Sequence, residues 1–64
     1  MRRVAAHEVI DGDKVLRQAV VEIQGDQVKK CYEFSGELAR TEWLGGIITV
    51  EFGKAYHKGK LLAE

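Results

Sequence analysis

The chain has 64 residues, and its ten basic and ten acidic side chains cancel to no formal net charge. A neutral chain has little electrostatic hold on nucleic acid, whose binding rests on neutralising phosphates, and an apolar share of 45% argues against wholesale disorder. Cys31 is the only cysteine, so no disulfide forms within one chain. With no apolar run long enough for a membrane-spanning helix and no secretory leader after Met1, the expected setting is reducing and cytoplasmic.

The first run of strand character is Arg3 to Ile10, with Val4, Ala6 and Ile10 on one face and Ala5, His7 and Val9 on the other. Asp11-Gly12-Asp13 then marks a turn, because Asp-Gly accommodates positive φ. The second run is Val15 to Gln24. Val15, Ala19, Val21 and Ile23 share one face, and Leu16 and Val20 partly occupy the other. Gly25-Asp26 has its glycine at the first central position, which suits a type II′ hairpin. The third run is Gln27 to Phe34, with Val28, Tyr32 and Phe34 on one face. A hairpin closed by Gln24 and Gln27 sets Ile23 against Val28, Glu22 against Lys29 and Val20 against Cys31. The apolar pair and the opposite-charge pair each contribute roughly 0.2–1 kcal/mol.

Ser35 to Leu44 reads as a crossing loop, in which Glu37 to Arg40 has room for one helical turn but not for an independent helix. It carries Trp43, expected to anchor the core, and Leu44 back to the sheet. Gly45-Gly46 permits close backbone approach before a fourth run, Ile47 to Phe52, where Ile48, Val50 and Phe52 share a face. Gly53-Lys54 suggests a turn into a fifth run, Ala55 to Leu62, interrupted at Gly59; Lys60 to Glu64 fits either a strand or a frayed helical turn. The expected fold is all-β: one small domain over residues 1–64, a twisted antiparallel sheet curling into a half-sandwich or open barrel.

The stretch from Gly46 to Lys58 resembles the strand that leads into the metal site of the amidohydrolase superfamily. In those enzymes a glycine and an aliphatic run precede Pro-Gly-Phe and then a His-x-His pair. Gly46, Ile47, Phe52 and Ala55 agree with that pattern. The Pro-Gly falls on Val50-Glu51, the two histidines fall on Tyr56 and Lys58, and His57 lies out of register. Arg3 to His7, Ala19 to Ile23 and Gln27 to Lys30 are similar to the N-terminal strands of the family's small β-sandwich (composite) domain. Thr41 to Ile48 resembles the connection into its catalytic barrel. The resemblance implies the fold of that small domain without the metal-binding barrel, and with it no enzyme activity, because no matching position holds a functional residue.

Candidate chemistry is sparse. His7, Cys31 and His57 are the plausible metal ligands, but none stands at ligand spacing, so no metal or cofactor is expected. Cys31 reads as a packed small hydrophobe rather than a nucleophile. Asp11 and Asp13 flank Gly12 without the other ligands of a Ca²⁺ loop. The segment containing Lys54, Tyr56, His57, Lys58 and Lys60 is basic with an interleaved aromatic, an interaction patch whose alternatives are weak nucleic-acid contact and lysines guarding a sheet edge. No catalytic residue is assigned. The expectation is a non-catalytic module that binds protein through its sheet edges or an apolar face, first of all a second copy of itself in a two-fold dimer. The alternatives are weak nucleic-acid binding through that patch and docking on a separate hydrolase chain.

Overall fold

The computed structural model describes residues 1–64 as seven strands with no helix: β1 Arg2–Asp11, β2 Lys14–Gln24, β3 Gln27–Glu33, β4 Glu42–Trp43, β5 Ile47–Glu51, β6 Lys54–His57 and β7 Lys60–Leu62. They form one open sheet in the order β3-β2-β1-β5-β6-β7, with β4 also on β1. The all-β architecture is as expected from sequence, but the sheet is mixed rather than antiparallel. β4 and β5 both run parallel to β1, pairing Ala5 with Trp43 and Val9 with Ile48. The crossing segment between β3 and β4 is long enough to return the chain to β1 in the same direction, as parallel pairing requires. Between β4 and β5, Gly45 and Gly46 both take positive φ and absorb one extra residue.

Every hairpin loop is two residues long. Gly12-Asp13 and Gly25-Asp26 place positive φ at the glycine alone, the type II′ signature. Phe52-Gly53 and Lys58-Gly59 place it at both residues, the type I′ signature. The expected Gly53-Lys54 turn is therefore displaced by one residue, because Glu51 pairs with Lys54 and leaves Gly53 second in the loop. Lys60–Leu62 is strand, not a helical turn, since its backbone pairs with β6.

The sheet folds over on itself along a line through His7 and Gln18. Gln18 takes a φ of 50°, and β1 and β2 there change which residues face inward. Val4, Ala6, Ala19, Val21 and Ile23 face the core on one side of the line; Val9 faces it on the other, with Leu16 packed against it. Sequence alternation had put Ile10 and Val15 inward, and the kink turns both out. A second irregularity sits in β3. Ile23 meets Val28 as expected, but the register then slips at a bulge, so Glu22 meets Lys30 and Val21 meets Cys31. Val28 and Cys31 therefore pack toward the core, and Tyr32 turns away from it.

The fold line divides the sheet into two wings. The first holds β3, the later part of β2, the early part of β1, and β4. The second holds the remaining halves of β2 and β1, then β5, β6 and β7. Between them lies one apolar core, in which Val4, Val9, Val21, Ile23 and Ile48 are fully buried. The wings meet where the Val28 N–H donates to the Gly53 carbonyl (2.7 Å) and the Glu64 N–H donates to the Gly25 carbonyl (2.8 Å). At the same end the Met1 ammonium is ion-paired with Glu64.

Candidate interaction surface

A sheet folded around one core has two outer faces, and here they differ. On the first wing, Ala5 and Val20 point outward yet are 2% and 0% exposed. The segment after β3 places Phe34, Leu38, Thr41 and Trp43 around Ala5, the cross-strand partner of Val20. Trp43 is thus not the core anchor expected from sequence. Its partner across the strands, Ala5, faces away from the core, so the indole lies on the outer face and is 52% exposed. It stands edge-on to His7 at 4.8 Å between ring centroids and to Phe34 at 6.5 Å. Beside this cover, Glu22 accepts hydrogen bonds from the Tyr32 hydroxyl (2.8 Å) and Arg3 Nε (3.2 Å). Both bonds hold the Glu22 carboxyl below its ordinary pKa, and the same Tyr32 bond raises the phenol.

Nothing in the chain covers the second wing. The registers of β2, β1, β5, β6 and β7 line up Val15, Ile10, Thr49, Tyr56 and Leu61 in one row across five strands. Paired residues share a face, and this face is opposite to Val9, Ile48 and Ala55 in the core. Val15 and Leu61 are 52% and 46% exposed. Ile47 borders the row from the neighbouring position on β5, and Phe52, 98% exposed, stands at the turn beside Ile10 and Thr49. Four of the six large exposed hydrophobic residues therefore belong to one face.

The segment from Lys54 to Lys60 does not form a single basic patch. Lys54 Nζ is ion-paired with Asp26 at 2.7 Å, which also holds the Asp26 carboxyl below its ordinary pKa. Tyr56 joins the apolar row. His57 lies on the opposite face, where its Nε2 donates to the Gly45 carbonyl at 3.0 Å. Lys58 sits in the turn, and Lys60 pairs with His57. His7 and His57 both approach the Gly45-Gly46 backbone, His7 beside Gly45 and His57 beside Gly46 while bonded to the Gly45 carbonyl. No three His, Cys, Asp or Glu side chains converge closely enough to hold a metal ion. Burial, with Asp11 nearby as the smaller cause, raises the Cys31 thiol above its ordinary pKa and lowers its nucleophilicity.

No known family matches the chain, and neither a curated protein nor a solved structure is significantly similar to it. The apolar row was hidden in the sequence because the kink at Gln18 changes the phase of two strands at once. The positive φ at a glutamine carries no compositional signal of the kind a glycine would give.

Proposed function

We propose that this chain is a non-catalytic β module that binds protein and associates with a second copy through the outer face of its second wing. The observation that carries the reading is the uncovered row Val15, Ile10, Thr49, Tyr56 and Leu61, bordered by Ile47 and Phe52. Exposed apolar residues scattered singly are ordinary, whereas a contiguous patch marks an interaction site. Five strands of about five residues present a face of roughly 24 by 17 Å. Two such faces bury roughly 800 Å² in all, less than the roughly 1,200 Å² of a stable specific interface, so the dimer is weak and concentration-dependent. Zero net charge adds no repulsion between copies. The resemblance of Gly46 to Lys58 to an amidohydrolase strand, with Tyr56 and Lys58 where those enzymes carry histidines, supports a non-catalytic role. The free, half-buried Cys31 supports a reducing compartment.

Light scattering coupled to size exclusion tests the reading. Twice the chain mass is expected at high concentration, falling to one mass on dilution. The double variant Val15→Lys/Leu61→Lys should stay monomeric with an unchanged far-ultraviolet spectrum. A single mass for the native chain at every concentration would remove the second copy as partner, and salt-sensitive retention on heparin would favour nucleic acid.

A further inference from the structure

One side of the fold, between the free edge of β3 and the beginning of β2, is open. Its two ends are pinned: the Val28 N–H donates to the Gly53 carbonyl (2.7 Å), and the Arg17 N–H donates to the Glu33 carboxylate (2.9 Å). Between them lies a cleft of about 380 Å³ whose apolar floor is Leu16, Val28, Cys31 and Val50. Those side chains belong to the core or pack against it, so the core itself is accessible here.

The wall of this cleft has free hydrogen-bonding capacity. Phe34 donates to the Gln18 carbonyl (2.9 Å), which sets the phase of the β2–β3 ladder. In that phase the backbone of Tyr32 bonds β2, and the N–H and C=O groups of Cys31 and Glu33 point the other way. β3 is the last strand of the sheet, so these groups have no strand to meet. The rim is basic: Lys14 and Lys29 stand around the cleft against one acid, Asp11, while the Lys30 ammonium lies 5.5 Å from the Tyr32 ring centroid on the side away from the core.

We infer that the cleft accepts an extended acidic segment of another protein, which adds a strand to β3 and closes the open side of the core. Strand addition takes its affinity from main-chain bonds and its selectivity from alternate side chains. Here the inward side chains of the added strand are apolar, to cover the floor, and its acids meet Lys14 and Lys29 at the rim. Lysines on an edge discourage indiscriminate pairing, and a partner that neutralises them is admitted selectively. A second copy is a poorer occupant. Its own β3 brings a further lysine, Lys29, to the same rim, and its Glu33 carboxylate is already engaged by the Arg17 backbone N–H.

The test uses the whole chain, labelled with ¹⁵N, and two capped seven-residue peptides, one alternating Glu with Val and one alternating Lys with Val. The acidic peptide should bind at least about tenfold more tightly, and the Cys31 and Glu33 amides should gain protection from hydrogen exchange. In the double variant Lys14→Glu/Lys29→Glu, which changes two exposed side chains, the preference should invert. No binding at millimolar acidic peptide, equal binding of both peptides, or binding that leaves those two amides unprotected would overturn the inference. Protection that grows with protein concentration in the absence of peptide would also overturn it, assigning the cleft to a second copy. Dimerisation through the second wing is read separately by light scattering, so either result can fail alone.

Discussion

One strand, β2, shows the difference between the two outer faces. Its Val20 points away from the core on the first wing and is fully buried; its Val15 points away from the core on the second wing and is 52% exposed. The same residue type on the same strand meets opposite fates: Val20 pairs with Ala5, around which the segment carrying Phe34, Leu38 and Trp43 folds, whereas Val15 pairs with Ile10 on the wing without such a segment. A thin sheet closed around one core always has two backs. This chain covers one with its own loop and leaves the other apolar and open, and the proposed dimer rests on that asymmetry.

The most severe way to break the comparison is through what the wings share. Ile48 is fully buried in the common core. Truncating a buried isoleucine to alanine costs about 2–5 kcal/mol, comparable to the roughly 3–5 kcal/mol that a core of this size supplies. Ile48→Ala should show no cooperative urea transition, and both wings should lose amide protection together. Retained protection in the first wing alone would mean that the wings do not depend on one core. Next in size is the cover itself. A fully buried tryptophan costs about 3–5 kcal/mol on truncation, and Trp43 is half exposed, so Trp43→Ala should cost about 2 kcal/mol and remain folded. It should also expose Ala5 and increase self-association. A variant that unfolds outright would restore Trp43 as a core anchor.

The elements were largely legible in the sequence, and the faces only in part. Alternation and Gly-x pairs located β1, β2, β3 and β5 to within a residue or two, and the register Ile23–Val28 followed from loop length alone. Beyond Glu22 the register changes, because the bulge places both Lys29 and Lys30 opposite one residue. A bulge is a backbone event that no side chain of Val28-Lys29-Lys30-Cys31 announces. The kink at Gln18 is harder to foresee still. It moves Leu16 inward and Val15 outward, a one-position phase change that turns a strand's apolar set to the other face. The candidate site suffered most, since His57 lies on the other side of β6 from Tyr56 and the Lys54 ammonium is engaged by Asp26, so the segment cannot act as one patch.

Phe52 sharpens the comparison from the rim of the uncovered face. It occupies the first central position of a type I′ turn with a φ of 51° and is 98% exposed. That position favours Asn, Asp or Gly. Phe52→Asn should therefore stabilise the isolated chain by about 0.5–1 kcal/mol, raising the melting temperature by a few degrees, while weakening the proposed dimer. A lower melting temperature measured below the dimer's concentration range would show that the ring supports the fold rather than an interface.

The smallest expected effect is on pH dependence, and it belongs to the covered wing. Glu22 accepts from Tyr32 and Arg3, and its carboxyl sits below the ordinary value of 4.5. A group whose pKa is lower in the folded state contributes stability above its unfolded value and loses it as pH falls through the folded value. Tyr32 is the mirror case: its phenol is raised above 10.0, so its contribution is present below that value and fades as pH rises through the folded one. One hydrogen bond thus weakens at both ends of the scale, below about pH 4.5 through Glu22 and above about pH 10 through Tyr32. Glu42, held low by Arg2, and Glu64, held low by the N-terminal ammonium, add to the acid side only. Glu22→Gln should flatten part of the acid limb and leave the uncovered face unchanged. The proposed dimer, if held by apolar contacts, should keep its midpoint concentration between pH 5 and pH 9, within the range where none of these groups titrates. A midpoint that moves across that range would place a titrating group inside the interface.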